Sequence, residues 1–247
     1  MLRLLKSIAL LMIIASPSHA FDMTDMTDAE RDAFRSEVRN YLLEYPDLII
    51  EVITVLENRS AQATRDAEVD MIFQYSEELF DDGYSFVGGN PEGDLTIVEF
   101  LDYRCGYCRK AHPEIAELLA KDGNIRFIVK ELPILGEASV IASRFAIATR
   151  RLFGSDAYEA MHDALMTMQG NPSAPVLSRI AESLELDGEA ILEEMTSEAV
   201  TNEINRNRTL AGRMAIDGTP TFVVDTQMLR GYVPLDQLTQ IVASIRE

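Results

Sequence analysis

The chain has 247 residues, 47% of them hydrophobic, and 41 Asp+Glu against 22 Lys+Arg give it a net charge of -19. That excludes a nucleic-acid backbone binder, which needs surplus cations to release counterions, and it disfavours docking on anionic lipid. Cys105 and Cys108 are the only cysteines, so a disulfide-dense scaffold is excluded, and no internal repeat points to a solenoid or propeller.

Residues 1–20 read as a secretory signal. Arg3 and Lys6 supply the positive start, Ile8 to Ala15 the apolar run, and Ser18-His19-Ala20 the small-x-small cleavage site. The run is far short of the roughly 20 residues that span a bilayer, so an anchoring helix is the weaker reading. No Cys follows the cleavage site, which argues against a lipid anchor. The expected product is cleaved after Ala20 and exported to the periplasm, with no membrane insertion afterwards.

Residues 21–82 carry helical signals and no strand-like alternation. Thr27 and Glu30 make a capping box. Phe34, Val38, Tyr41, Leu42 and Tyr45 form one stripe, and Pro46 breaks it. Leu48, Ile49, Val52, Ile53, Val55 and Leu56 form a second apolar run. Residues 57–68 are polar on nearly every face, as in a helix that bridges solvent. The expectation is a helical oligomerisation arm joined by a solvated link to a domain over 83–247; the alternative is a helix folded back on that domain.

Gly88 to Gly93 read as turns. Leu95 to Leu101 is a continuous apolar run, which predicts a strand buried on both faces. A helix over about 107–121 and a strand over 125–132 follow. Helices are expected over 137–153, 156–169, 174–185 and 188–214, with Ser155, Ser173 and Asp187 as caps. Two short strands, 221–224 and 228–230, and a final helix striped by Leu235, Leu238, Ile241, Val242 and Ile245 close the chain. The order predicts an α/β fold with a helical insertion over about 136–214.

Cys105-Gly106-Tyr107-Cys108 falls where a strand passes into a helix, a redox arrangement. A sulfur at the first helical turn meets unpaired N–H groups and the positive end of the helix dipole, so Cys105 is expected to ionise near neutral pH. Cys108, one turn inside, is the resolving thiol. A structural zinc site needs four ligands, and beside two Cys the mature chain holds only His112 and His162. An inert ring this small would stabilise by only about 2 kcal/mol. No metal and no cofactor is expected. Glu99, inside the buried strand, reads as a proton acceptor near the dithiol, with Lys130 as a cation to pair with it. Thr219-Pro220 precedes the last buried strand, and its position alone does not dictate a cis bond.

The run I-V-E-F-L-D-Y-R-C-G-Y-C, then K-E-L-P-I-L-G, then G-T-P-T-F-V-V, resembles the DsbA-like branch of the thioredoxin superfamily, over residues 84–247. The resemblance implies a thioredoxin fold with helical insertion, a redox disulfide between Cys105 and Cys108, and Glu99 as the family's buried acid. It implies that Pro220 is a cis-proline facing the cysteines, and that Gly106, Tyr107, Thr219 and Pro220 bind the client peptide as an added strand. Thr before that proline is more usual in isomerase-like and reductase-like members, whereas the periplasmic oxidase has Val. Arg104 is often Asn in relatives; its charge is expected to favour the Cys105 thiolate and to select acidic client segments.

The stretch Phe34 to Asp47 with the apolar run behind it resembles the N-terminal region of ScsC-type and Com1-type proteins, which in the ScsC group can build a trimer with a mobile linker. The expected function is therefore a periplasmic disulfide isomerase or reductase acting on exported cysteine-containing proteins. It would be a homo-oligomer, with a trimer as the expected form, served by a DsbD-type reductant. The alternative is a DsbA-type oxidase recharged by a DsbB-type enzyme; a lesser one is a Cu(I)-binding thiol pair in metal tolerance.

Overall fold

The computed structural model describes residues 24–247. The signal segment and its cleavage site lie outside the described residues. No helix among them is long and apolar enough to cross a membrane. The chain divides into two compact units, at Ser60 and Ala61.

The first unit holds helix α1 (Asp28–Glu44) and the start of α2 (Asp47–Gln74). The expected capping box forms: Thr27 Oγ1 accepts from the Glu30 N–H, and Glu30 Oε2 accepts from the Thr27 N–H at 2.9 Å. The helices part around Tyr45 and Pro46, because proline cannot continue α1 but fits a new first turn. α1 buries no residue, and Phe34, Val38, Tyr41, Ile49, Ile50 and Ile53 are exposed on this chain.

The second unit begins earlier than the sequence suggested. Residues 61–82 read in the sequence as arm and link, yet Ile72 of α2 and Leu79 of α3 (Ser76–Phe80) are fully buried. They pack with Val98, Phe100, Ile128 and Val223 on one face of the sheet, so this segment belongs to the domain core. Residues 57–68 are helical throughout, as part of α2.

The sheet has five strands: β1 (Phe86–Gly89), β2 (Leu95–Leu101), β3 (Ile125–Glu131), β4 (Thr221–Val224) and β5 (Gln227–Arg230). Their spatial order is β1-β3-β2-β4-β5. β2 and β3 are parallel, joined by α4 (Gly106–Asp122); the other pairings are antiparallel. β2 alternates across the sheet: Leu95, Ile97 and Leu101 join the core under α4, while Val98 and Phe100 face the opposite side. The continuous apolar run is thus buried on both faces, as expected.

β1 is an addition to the expected strands. Gly88 and Gly89 read as turn formers, but Gly89 has φ +63 and a Cβ there would sit 2.4 Å from the Ile125 carbonyl oxygen. The glycine is there for close approach to β3, not for chain reversal.

The insertion comprises α5 (Glu137–Phe153), α6 (Ser155–Thr167), α7 (Ala174–Ser183), α8 (Gly188–Glu194) and α9 (Glu198–Arg213). The single helix expected over 188–214 is two, because Ser197 turns extended and its hydroxyl accepts from the Val200 N–H. Asp187 caps α8 as expected, whereas Gly154, not Ser155, precedes α6. α10 (Leu235–Ile245) closes the α4 side with Leu238 and Val242.

Candidate active site

β2 ends at Leu101, and the turn Asp102–Arg104 delivers Cys105 to the N-cap of α4 in extended conformation. Asp102 organises this turn. Its carboxylate is fully buried and accepts from the N–H groups of Arg104 at 2.7 Å, Ile134 at 2.8 Å and Leu135 at 3.0 Å. It therefore ties the nucleophile turn to the loop after β3. Sequence reading passed over Asp102; the available signal was an acid closing a buried apolar run, where only hydrogen bonding makes it tolerable.

Both cysteines are free thiols, with Cys108 fully buried inside the first turn. The Cys105 Sγ lies 3.1 Å from the Thr219 carbonyl oxygen. Its acidity is pushed to about 5, chiefly by a hydrogen bond from the Cys108 thiol. The Cys108 and Tyr107 N–H groups and the Thr219 side chain add to this, against opposition from burial. Cys108 shifts the other way, far above the usual thiol range, through that same hydrogen bond, burial and the charge of Glu99. The pair is thus a thiolate nucleophile over a protonated resolving thiol.

The Thr219–Pro220 bond is cis, in the turn before β4. Gly106 is exposed, and Tyr107 is 63% exposed and stacks on Tyr232 at 6.2 Å between ring centres. Ile134 and Leu135, held by Asp102, are also exposed. Cys105 itself is only 7% exposed, next in the chain to the exposed Gly106 and Tyr107 and in contact with the Thr219 carbonyl.

Two tuning expectations need correction. Glu99 and Lys130 do not pair. Glu99 sits opposite Val129 in the β2·β3 register, so the pleat sends Lys130 to the other face of the sheet. There its ammonium donates to the Glu78 carbonyl at 2.6 Å and pairs with Asp82. Glu99 is left with Oε1 unpartnered, and burial, followed by the charges of Cys105 and Glu131, pushes its carboxyl up to about 8. Arg104 turns its guanidinium onto the Gly170 carbonyl at 2.6 Å, and the contacts that favour the Cys105 thiolate come from Cys108, Tyr107 and Thr219 instead.

A second buried acid shares the α4 side. Glu131 accepts from Tyr158 at 2.7 Å, Ser143 at 2.7 Å and Tyr103 at 2.8 Å. Burial nevertheless pushes it up to about 7. Tyr103 also meets His162 Nδ1 at 3.0 Å, and burial drives His162 down to about 3, so it is neutral. These partners come from distant stretches, which is why no spacing in the sequence announced them. Among the described residues no cluster of three His, Cys, Asp or Glu could hold a metal ion.

Comparison with known proteins agrees with this geometry. Residues 96–243 match the model of the DSBA-like thioredoxin domain, and residues 30–63 match that of the copper resistance protein ScsC N-terminal domain. A thioredoxin-like oxidoreductase from Silicibacter pomeroyi is 42% identical, with a TM-score of 0.64 over 69% of this chain and 96% of that one. The thiol-disulfide exchange protein alpha-DsbA2 of Wolbachia pipientis is 28% identical, with a TM-score of 0.68 over 74% and 98%. A curated relative named as a Na(+)/H(+) antiporter of Salinispora tropica is 30% identical over 64% of this chain, which spans 24% of that protein's length. With a cis-proline turn against an N-capping thiol and a helical insertion in the sheet, the chain belongs to the DSBA-like thioredoxin domain family.

Proposed function

We propose that this protein is a periplasmic thiol–disulfide oxidoreductase that isomerises or reduces disulfides in exported proteins. The observation that carries the dithiol chemistry is geometric: Cys105 caps α4 with its sulfur 3.1 Å from the Thr219 carbonyl, beside the cis Thr219–Pro220 bond, and Cys108 is fully buried one turn on. Cys105 attacks a client disulfide and releases the first client thiolate. Cys108 then either resolves the mixed disulfide or waits while the client rearranges. The client backbone pairs with Thr219 as an added strand, and the exposed Tyr107, Ile134 and Leu135 supply apolar contact.

The first unit supports the isomerase form. Its apolar side chains are exposed on a single chain, which suits assembly with other copies, and its sequence matches the ScsC N-terminal domain. A trimer would present three dithiols to one client, kept reduced by a DsbD-type partner. The oxidase reading also has an observation in its favour. A thiolate stabilised to about 5 stabilises the reduced form, which makes the disulfide a stronger oxidant.

The test starts from reduced mature protein and a scrambled-disulfide substrate. Recovery of substrate activity that disappears in Cys105→Ala supports isomerisation. Deleting residues 21–60 should abolish that recovery while sparing simple dithiol exchange. Rapid oxidation of a reduced substrate by the disulfide form, with no unscrambling, would replace this reading with the oxidase.

A further inference from the structure

The turns around the dithiol differ in charge from the rest of the chain. Acids outnumber bases 41 to 22 overall, yet residues 103–113 hold Arg104, Arg109 and Lys110 and no acid. The other segments at the site, 132–136, 168–173, 218–224 and 231–235, contain no charged residue. Asp102 is buried and occupied by backbone N–H groups. Glu114 is occupied by the Tyr232 hydroxyl at 2.6 Å and the Leu235 N–H at 2.8 Å. Glu137 and Asp217 border the surface in the chain.

The cations of this surface are fixed in place by neutral groups. Arg109 donates to the carbonyls of Tyr103 at 2.7 Å, Met168 at 2.8 Å and Leu165 at 3.4 Å. Arg104 donates to the Gly170 carbonyl. Lys110 Nζ lies 4.0 Å from the centre of the Tyr232 ring, which stacks on Tyr107. Arg208 of α9 donates to the Pro133 carbonyl at 2.8 Å, one residue before Ile134. Carbonyls and rings orient a cation without neutralising it. Among the described residues none of the four has a carboxylate partner. Burial, and then the charge of Arg104, lower the pKa of Arg109, so the two guanidinium groups act on one another. Lys110 and Arg208 are exposed and Arg104 is half-buried.

We propose that this cationic surface selects client cysteines flanked by Asp or Glu, holding their carboxylates beside Cys105 during disulfide exchange. A client strand paired with Thr219 lies across these turns, so its flanking side chains come within reach of the cations. The net charge of -19 repels an extended polyanion or an anionic bilayer, which leaves a short acidic segment as the fitting occupant. The inference rests on the proposed function, but not on the direction of electron flow.

The test uses reduced mature protein at pH 8, well above the Cys105 midpoint of about 5. The probes are peptides with one cysteine, carried as its mixed disulfide with 5-thio-2-nitrobenzoate and flanked by Glu, Gln or Lys. Cys105 thiolate attacks the peptide sulfur, the Cys105–peptide bond forms, and the aryl thiolate leaves with the bonding electrons. Each rate is divided by that of 2-mercaptoethanol with the same peptide, which removes the peptide's own reactivity. Comparing peptides on one variant also cancels any change in the Cys105 thiolate.

At about 0.1 M salt the Glu peptide should react roughly tenfold or more faster than the Lys peptide, with Gln between them. Near 1 M salt, where the screening length is about 3 Å, the preference should vanish. Lys110→Glu and Arg104→Gln should each cut it about twofold or more. Lys121→Glu makes the same charge change about 16 Å along α4 from Lys110 and should leave the preference intact. Equal rates for the peptides would overturn the proposal. So would a preference that survives high salt, one unchanged in both Lys110→Glu and Arg104→Gln, or an equal loss in Lys121→Glu. Failure to react with any peptide would instead bring down the proposed function, and this inference with it.

Discussion

The two faces of the sheet treat buried charge in opposite ways. On the face covered by the end of α2, α3 and α9, Lys130 is fully buried but paired with Asp82, and it also donates to the Glu78 carbonyl. On the α4 face, Glu99 is buried with one oxygen unpartnered, and Glu131 is surrounded by hydroxyl donors rather than a cation. Both faces pay for desolvation. The first offsets it with an opposite charge. The second leaves its acids close to neutral, ready to take up or release protons beside the dithiol. A structural ion pair and a proton-handling acid are thus told apart by their partners, not by their burial.

The largest expected effect comes from breaking the paired face. Asp82→Ala leaves the Lys130 ammonium without its counter-charge, and a loss of about 3–5 kcal/mol in denaturant unfolding is expected. Replacing both residues with apolar ones of similar size should recover most of that loss. A double variant as unstable as Asp82→Ala would mean that Asp82 acts through its bonds to Ser85 rather than through Lys130.

On the α4 face the pH dependence has a definite sign. Glu99 is raised from 4.5 to about 8, so the unfolded chain ionises it first. Its contribution is fully present below pH 4.5 and is lost as pH rises through about 8. The reduced protein should lose roughly 4 kcal/mol over this window on account of Glu99, and Glu99→Gln should flatten the curve. An unchanged slope in the variant would transfer the effect to Glu131.

Glu131→Gln keeps the shape but turns one acceptor oxygen into a donor facing hydroxyl groups. A cost of about 2 kcal/mol is expected in the same unfolding experiment. Smaller still is Thr219→Val, which deletes a side-chain bond to Cys105 and should raise the midpoint of Cys105 alkylation from about 5 by at most about one unit. A midpoint that stays at about 5 would leave the Cys108 thiol and the helix N–H groups as the only contacts that matter.

Much of this architecture was legible in one dimension. The strand–C-x-x-C–helix junction, the three motifs in order, the Thr27 capping box and most insertion helices could be read from local pattern, because each is set by residues within a turn or two of each other. The residues that reading missed were set by distant partners. Asp102 matters because of N–H groups at 134 and 135, and Glu131 because of hydroxyls at 103, 143 and 158. β1 was hidden because its glycines serve close packing rather than a turn.

The sequence by itself determined which sulfur attacks, since a thiol at a helix N-cap meets unpaired N–H groups wherever the helix is placed. It also determined that Glu99 would be buried, since it sits inside a continuous apolar strand. Only the tertiary structure decided which charges meet. The parallel register of β2 on β3 sets Glu99 against Val129, and the two-residue period of the pleat then carries Lys130 to the far side. That single fact leaves the acid unpaired on the α4 side of the sheet.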